Sequence, residues 1–121
     1  MAEVDAMAEV DVVVVCWNDR DKIATALDSV FALDEVRGNP DFANVVVSDN
    51  GSTDGSRDYL RERYGERVTI VENGANLGFG AACNRAFART SAPYVFLLNP
   101  DAELKASALA SILGFMQTHP R

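Results

Sequence analysis

Four short apolar runs stand out along the chain: Val10 to Trp17, Asn44 to Ser48, Arg67 to Val71 and Tyr94 to Leu98. The stretches Val12-Val13-Val14-Val15, Val45-Val46-Val47 and Val95-Phe96-Leu97-Leu98 are continuous rather than alternating. β-rich runs with no polar face suit strands covered on both sides, as in a parallel sheet. Between them the spacing turns helical. Ile23, Ala26, Leu27, Val30 and Phe31 form one apolar stripe, with Asn18 or Asp19 expected as the cap. A second helix is predicted over about Gly55 to Tyr64, burying Tyr59, Leu60 and Tyr64 and stopping at Gly65. A third runs from about Gly80 to Arg89, with Ala82, Cys83, Ala86 and Phe87 on one side. The fourth starts near Lys105, carries Leu109, Ile112, Leu113 and Met116, and is closed by Pro120.

The order β-α-β-α-β-α-β-α predicts an α/β fold: a doubly wound parallel sheet of about four strands with helices on both faces. Asp34 to Phe42, with Gly38 and Pro40, reads as a long surface connection. Length agrees with one domain. A chain of 121 residues buries roughly 65% of its unfolded surface, enough for a single core. Residues 1–9 read as an acidic, extended start in which Ala-Glu-Val-Asp begins at 2 and recurs at 8, leaving 10–121 as the α/β domain.

A net charge of −7 argues against a basic nucleic-acid footprint. No apolar run approaches the roughly 20 residues that span a bilayer, and no secretory signal opens the chain. A cytoplasmic protein is expected, with a peripheral place at the inner membrane face left open. Cys16 and Cys83 are far apart and His119 is the single histidine, so core thiols are expected rather than a disulfide framework or zinc site.

In a parallel α/β sheet every strand-to-helix loop emerges at the carboxyl edge, where ligands bind. Here those loops read Cys16-Trp17-Asn18-Asp19, Asp49-Asn50-Gly51-Ser52-Thr53-Asp54-Gly55, Glu72-Asn73-Gly74-Ala75-Asn76-Leu77-Gly78 and Asn99-Pro100-Asp101-Ala102-Glu103. Taken singly each has a plain structural reading: Ser52 or Thr53 as a helix cap, Trp17 as a core aromatic, Asn99-Pro100-Asp101 as a turn. Their coincidence on one edge points to a site. Gly74, Gly78 and Gly80 do not make G-x-G-x-x-G and no G-K-[ST] follows a strand, so neither dinucleotide nor P-loop binding is indicated. Asp49 to Gly55 lacks the glycine and the bidentate glutamate of a calcium loop.

The motifs V-V-V-V-C-W-N-D (12–19), V-V-S-D-N-G-S-T-D-G-S (46–56), N-G-A-N-L-G-F-G-A-A-C-N-R-A (73–86) and F-L-L-N-P-D-A-E-L (96–104) carry a resemblance. Together they resemble family 2 glycosyltransferases of GT-A fold, in particular the rhamnosyltransferase-like branch with N-P-D in place of D-x-D. The resemblance implies the nucleotide-binding half of that fold, holding a UDP- or dTDP-sugar with Mg²⁺ or Mn²⁺ for inverting transfer to an unknown glycan or lipid-linked acceptor. It also implies a role in cell-surface polysaccharide biosynthesis. By position, Cys16, Trp17 and Asn18 match the nucleoside pocket, Asp49 the carboxylate that reads the base, and Asn76 and Gly78 a loop near the nucleotide. Asn99 and Asp101 match the metal motif, with Asp101 as the metal ligand and Asn99 beside the nucleotide.

The chemistry suits these roles. An ionised Asp49 only accepts hydrogen bonds, which fits the N3–H of uracil or thymine and not the bare N3 of cytosine. Trp17 offers a stacking face, and Asp101 a hard oxygen for the ion. Asn99 in place of a carboxylate implies weak metal affinity without nucleotide, and Cys83 stands where many relatives have Arg. No residue matches the family's proton-accepting carboxylate; neither Asp19 nor Glu103 is assigned to it, and the acceptor half is missing. This chain alone is therefore expected to bind rather than transfer. The alternatives are a non-catalytic nucleotide-binding module, one that self-associates through the uncovered half, and, fitting badly, a phosphoacceptor receiver domain.

Overall fold

The structure, a computed structural model, describes residues 8–118. Four parallel strands, β1 (Val10–Cys16), β2 (Ala43–Asp49), β3 (Val68–Glu72) and β4 (Tyr94–Leu97), form one sheet in the order β3-β2-β1-β4. The helices are α1 (Arg20–Phe31), α2 (Asp34–Gly38), α3 (Ser56–Tyr64), α4 (Phe79–Phe87) and α5 (Ala108–Thr118), with a short 3-10 turn at Gly65–Arg67. The doubly wound arrangement is the one the sequence predicts.

The continuous valine runs are buried on both faces. On one side Val12, Val14, Cys16, Val45 and Val47 pack with Ile23, Ala26, Leu27 and Val30 of α1, Leu60 of α3, and Leu109 and Leu113 of α5. On the other, Val13 and Val46 pack against Ala86 of α4. Each fully buried valine or leucine contributes about 1.5–3 kcal/mol, so the fully buried Val12, Val13 and Val14 make β1 the centre of the core. The second face is only partly covered. Val95 and Leu97 of the edge strand β4 stay 42% and 46% exposed, and Phe87 of α4 is 37% exposed.

Several local expectations change. Asp34 to Phe42 is not all loop: α2 forms because Leu33 and Val36, one helical turn apart, are both buried. Asp19 occupies the N-cap position of α1 without a side-chain cap bond to the helix; its carboxylate accepts from Trp17 N–H instead, at 2.9 Å. Neither Ser52 nor Thr53 caps α3, where Asp54 accepts from the backbone N–H and the hydroxyl of Ser56. Gly65, at φ 57°, stops that helix as expected.

Leu109 and Leu113 are buried, but Ile112 and Met116 are exposed on α5. Both cysteines are buried thiols. Ala8 is buried and Glu9 N–H donates to Phe42 O, so contact with the domain begins there. The remainder of the 1–9 segment, His119 and the expected stop at Pro120 lie outside the described residues.

Candidate functional site

Strand register sets the site. Cys16 pairs with Asp49, and Asp49 with Glu72, so β1, β2 and β3 end level at the carboxyl edge. Strand order reverses between β1 and β4, the position at which open α/β sheets accept ligands.

The second loop grips the first through four nearly consecutive residues. Asn50 N–H donates to Cys16 O at 2.8 Å. Asn18 N–H donates to Ser52 Oγ at 2.9 Å. Thr53 N–H donates to Asn18 Oδ1 at 2.7 Å, and Arg20 N–H to Asp54 Oδ2 at 3.0 Å. Burial alone would raise the Asp54 carboxyl, but the Ser56 hydroxyl and the N–H groups of Arg20 and Ser56 hold it below the usual carboxylate range. Asn18 itself has φ +54°, a left-handed backbone uncommon for a residue with a side chain.

The third loop is bound to the second through Asn50, which sequence reading did not single out. Its Oδ1 accepts from Asn73 Nδ2 at 2.8 Å, while its Nδ2 donates to Asn76 Oδ1 at 3.4 Å and Gly78 O at 3.3 Å. Asn73 Nδ2 also donates to Ser48 Oγ, which donates to Ala82 O of α4. Among the described residues, Asn73 Oδ1 is buried without a partner. Gly51, at φ +78°, lies so close to the third loop that a Cβ would meet Ala75 Cα at 2.9 Å.

The named candidates separate by exposure. Cys16 and Asp49 are fully buried, because they continue the inward alternation of Val12-Val14 and Val45-Val47. That period of two was the signal in the sequence. Asp49 Oδ1 accepts from Ser52 Oγ at 2.6 Å, and Oδ2 from Ser52 N–H at 3.1 Å with Arg57 Nη1 3.6 Å away. Burial pushes the Cys16 thiol up to about 11, with the Asp49 charge adding to the rise. Trp17, by contrast, is 51% exposed and is no core aromatic. Asn18, Asn76, Gly78, Asn99 and Asp101 are also exposed.

The fourth loop leaves the same edge, its start fixed by Leu98 N–H on Val13 O. Among the described residues, the Asp101 carboxylate has no hydrogen-bond or ion-pair partner and no group of three or more His, Cys, Asp or Glu is placed to hold a metal. A free, hard, single carboxylate fits an ion whose other ligands come from a bound diphosphate, and does not fit a metal held by protein alone. A cavity of about 530 Å³ lies at the opposite edge, between Phe31, Pro40, Ala43 and Arg67, and shares no residue with the four loops.

Residues 11–121 match the model of glycosyl transferase family 2. The chain belongs to that family. Among curated members it is 36% identical over 109 residues to TuaG of Bacillus subtilis, named for teichuronic acid biosynthesis, covering 88% of this chain and 41% of that protein. It is 32% identical over 89 residues to the N-acetylglucosaminyl-diphospho-decaprenol L-rhamnosyltransferase of Mycobacterium tuberculosis, covering 64% of this chain and 29% of that protein. The chain therefore spans less than half the length of these relatives.

Solved structures show the family's GT-A sheet. TarS of S. aureus in complex with UDP superposes with TM-score 0.78 at 21% identity, over 92% of this chain and 32% of TarS 1-349. The mannosyltransferase PcManGT of Pyrobaculum calidifontis, in complex with GDP-Man and Mn²⁺, gives 0.77 at 27% identity over 93% and 33% of the respective chains. Among the described residues, no helix is long and apolar enough to cross a membrane.

Proposed function

We propose that the carboxyl edge of this sheet binds the nucleoside diphosphate of a sugar donor, UDP- or dTDP-linked, with a divalent ion, as the donor-binding part of an inverting glycosyltransferase. The observation that carries the reading is the joining of three loops, distant in sequence, into one hydrogen-bonded surface next to an exposed tryptophan. Trp17 is the stacking platform for the base, with Asn18, Asn76, Gly78 and Asn99 around the nucleotide. Asp101 is the protein ligand for Mg²⁺ or Mn²⁺, and the ion when bound neutralises charge on the diphosphate. The similar solved structures, TarS with UDP and PcManGT with GDP-Man and Mn²⁺, support a nucleotide-sugar donor and a metal. No residue of this chain is assigned as the proton acceptor, so nucleotide binding without appreciable transfer is expected of it.

Calorimetry with UDP, dTDP and GDP, each with and without Mn²⁺, tests the proposal. UDP or dTDP binds the native chain. Trp17→Ala weakens binding by the about 1–3 kcal/mol that one stacked base is worth, and Asp101→Ala removes the Mn²⁺-dependent part alone. Failure of every pyrimidine diphosphate to bind ends the reading, and tighter binding of GDP overturns the choice of base.

A second reading, self-association through the partly covered sheet face, is favoured by the exposed Val95 and Leu97. A monomer in sedimentation across a wide concentration range refutes it.

A further inference from the structure

Resting on the nucleotide reading above, we infer that Asp49 and Ser52 are positioning residues: they form a clamp that holds Asn18 in its left-handed backbone and so sets the orientation of Trp17. Both carboxylate oxygens of Asp49 are directed at Ser52, one accepting from its hydroxyl at 2.6 Å and the other from its N–H at 3.1 Å. Asp49 has no exposed side-chain surface through which to touch a ligand. Its effect passes outward instead. The hydroxyl it fixes accepts the Asn18 N–H at 2.9 Å, and the next residue, Thr53, donates its N–H to the Asn18 side chain at 2.7 Å.

Asn18 thus has its backbone and its side chain held by adjacent residues of another loop. An L residue at φ +54° relaxes to negative φ unless something over-determines it. Relaxation there would turn the peptide between Trp17 and the first turn of α1. Trp17 is also tied from the other side, its N–H donating to Asp19 Oδ2 at 2.9 Å. The large, half-exposed indole therefore has its backbone tethered while its ring stays open to a ligand. Pre-ordering a stacking face removes part of the entropy that binding otherwise costs.

Trp17 is the single tryptophan of the chain, so its emission reports the clamp directly. The test compares the native chain with Ser52→Ala and with Tyr64→Phe, a control that disturbs a hydroxyl bonded to Asp28 and Ala24 at the opposite edge. In the free protein, Ser52→Ala lowers Trp17 anisotropy and raises its quenching by acrylamide, while Tyr64→Phe changes neither. With UDP and dTDP, Ser52→Ala weakens binding about tenfold, the size of one lost hydrogen bond near the upper end of the usual range. Asn18→Ala, at an exposed position, gives the same pair of shifts and serves if Ser52→Ala does not fold.

Unchanged anisotropy in the folded clamp variants overturns the clamp. A fall in anisotropy with unchanged affinity overturns its service to the nucleotide, as does an equal loss of affinity in Tyr64→Phe. If the native chain binds neither nucleotide while anisotropy still falls, the clamp stands and the nucleotide reading fails.

Discussion

Gly51 lies where the second loop runs close against the backbone of the third, and replacing it measures what that approach is worth. A Cβ there would lie 2.9 Å from Ala75 Cα, 3.0 Å from Ala75 N and 3.1 Å from Ala75 C, all backbone atoms that cannot rotate away. Gly51→Ala also forces an alanine to φ +78°, a cost of about 1–2 kcal/mol. Overlap with a fixed neighbour adds about 1–3 kcal/mol, so the total is about 2–5 kcal/mol against a folding stability of about 5–15 kcal/mol.

Gly74 supplies the control, since it has nearly the same φ, +77°, with nothing within 4 Å of the added Cβ. Gly74→Ala therefore carries the backbone cost alone. The two variants should differ by about 1–3 kcal/mol, which at a urea slope near 2 kcal/mol/M separates their midpoints by about 1 M. Urea unfolding followed by far-UV circular dichroism measures that gap. If the two midpoints coincide, the loops do not meet as described and the shared surface they form is wrong.

Two further outcomes follow from titratable groups. Burial raises the Asp28 carboxyl, but the Arg63 guanidinium and the Tyr64 hydroxyl outweigh it and hold the group below its ordinary 3.8. Because the folded value is the lower one, its contribution is complete above the unfolded value and is lost as pH falls through the folded value. The stability gap between the native chain and Asp28→Asn should thus narrow on acidification below about pH 4, and a gap that widens there refutes the assignment. With its thiol pushed up to about 11 by burial, Cys16 should not react with a disulfide reagent near pH 8 until urea unfolds the chain. Burial raises the Cys83 thiol as well, and rapid labelling of either cysteine in the folded state contradicts the packing.

The strands were legible because unbroken β-branched runs have few other uses, and each observed boundary lies within one residue of the predicted one. Helix α2 was not, because five residues give no period to detect and only Leu33 and Val36 carried its signal. Composition and order exposed the chemically rich edge. They did not show which of its polar groups bond across the loops, since that depends on register between segments far apart in sequence. Asp49 looked like a ligand-facing carboxylate, yet it completes the inward alternation of Val45 and Val47. Asn50, to which the sequence assigned no role, joins Asn73, Asn76 and Gly78. Its partners lie in another loop and could not be read from local sequence.

The placement of β1 between β2 and β4 also bears on how the molecule is made. The central strand is the first of the four to leave the ribosome, but its neighbour on one side, paired from Val10 with Tyr94, is the last of them. Until β4 emerges a valine-rich strand therefore has one unpaired edge, the kind of surface that recruits chaperones or stray strands. Parallel pairing across so long an intervening segment is slow to close, so nascent-chain yield should depend strongly on temperature and on holdase supply.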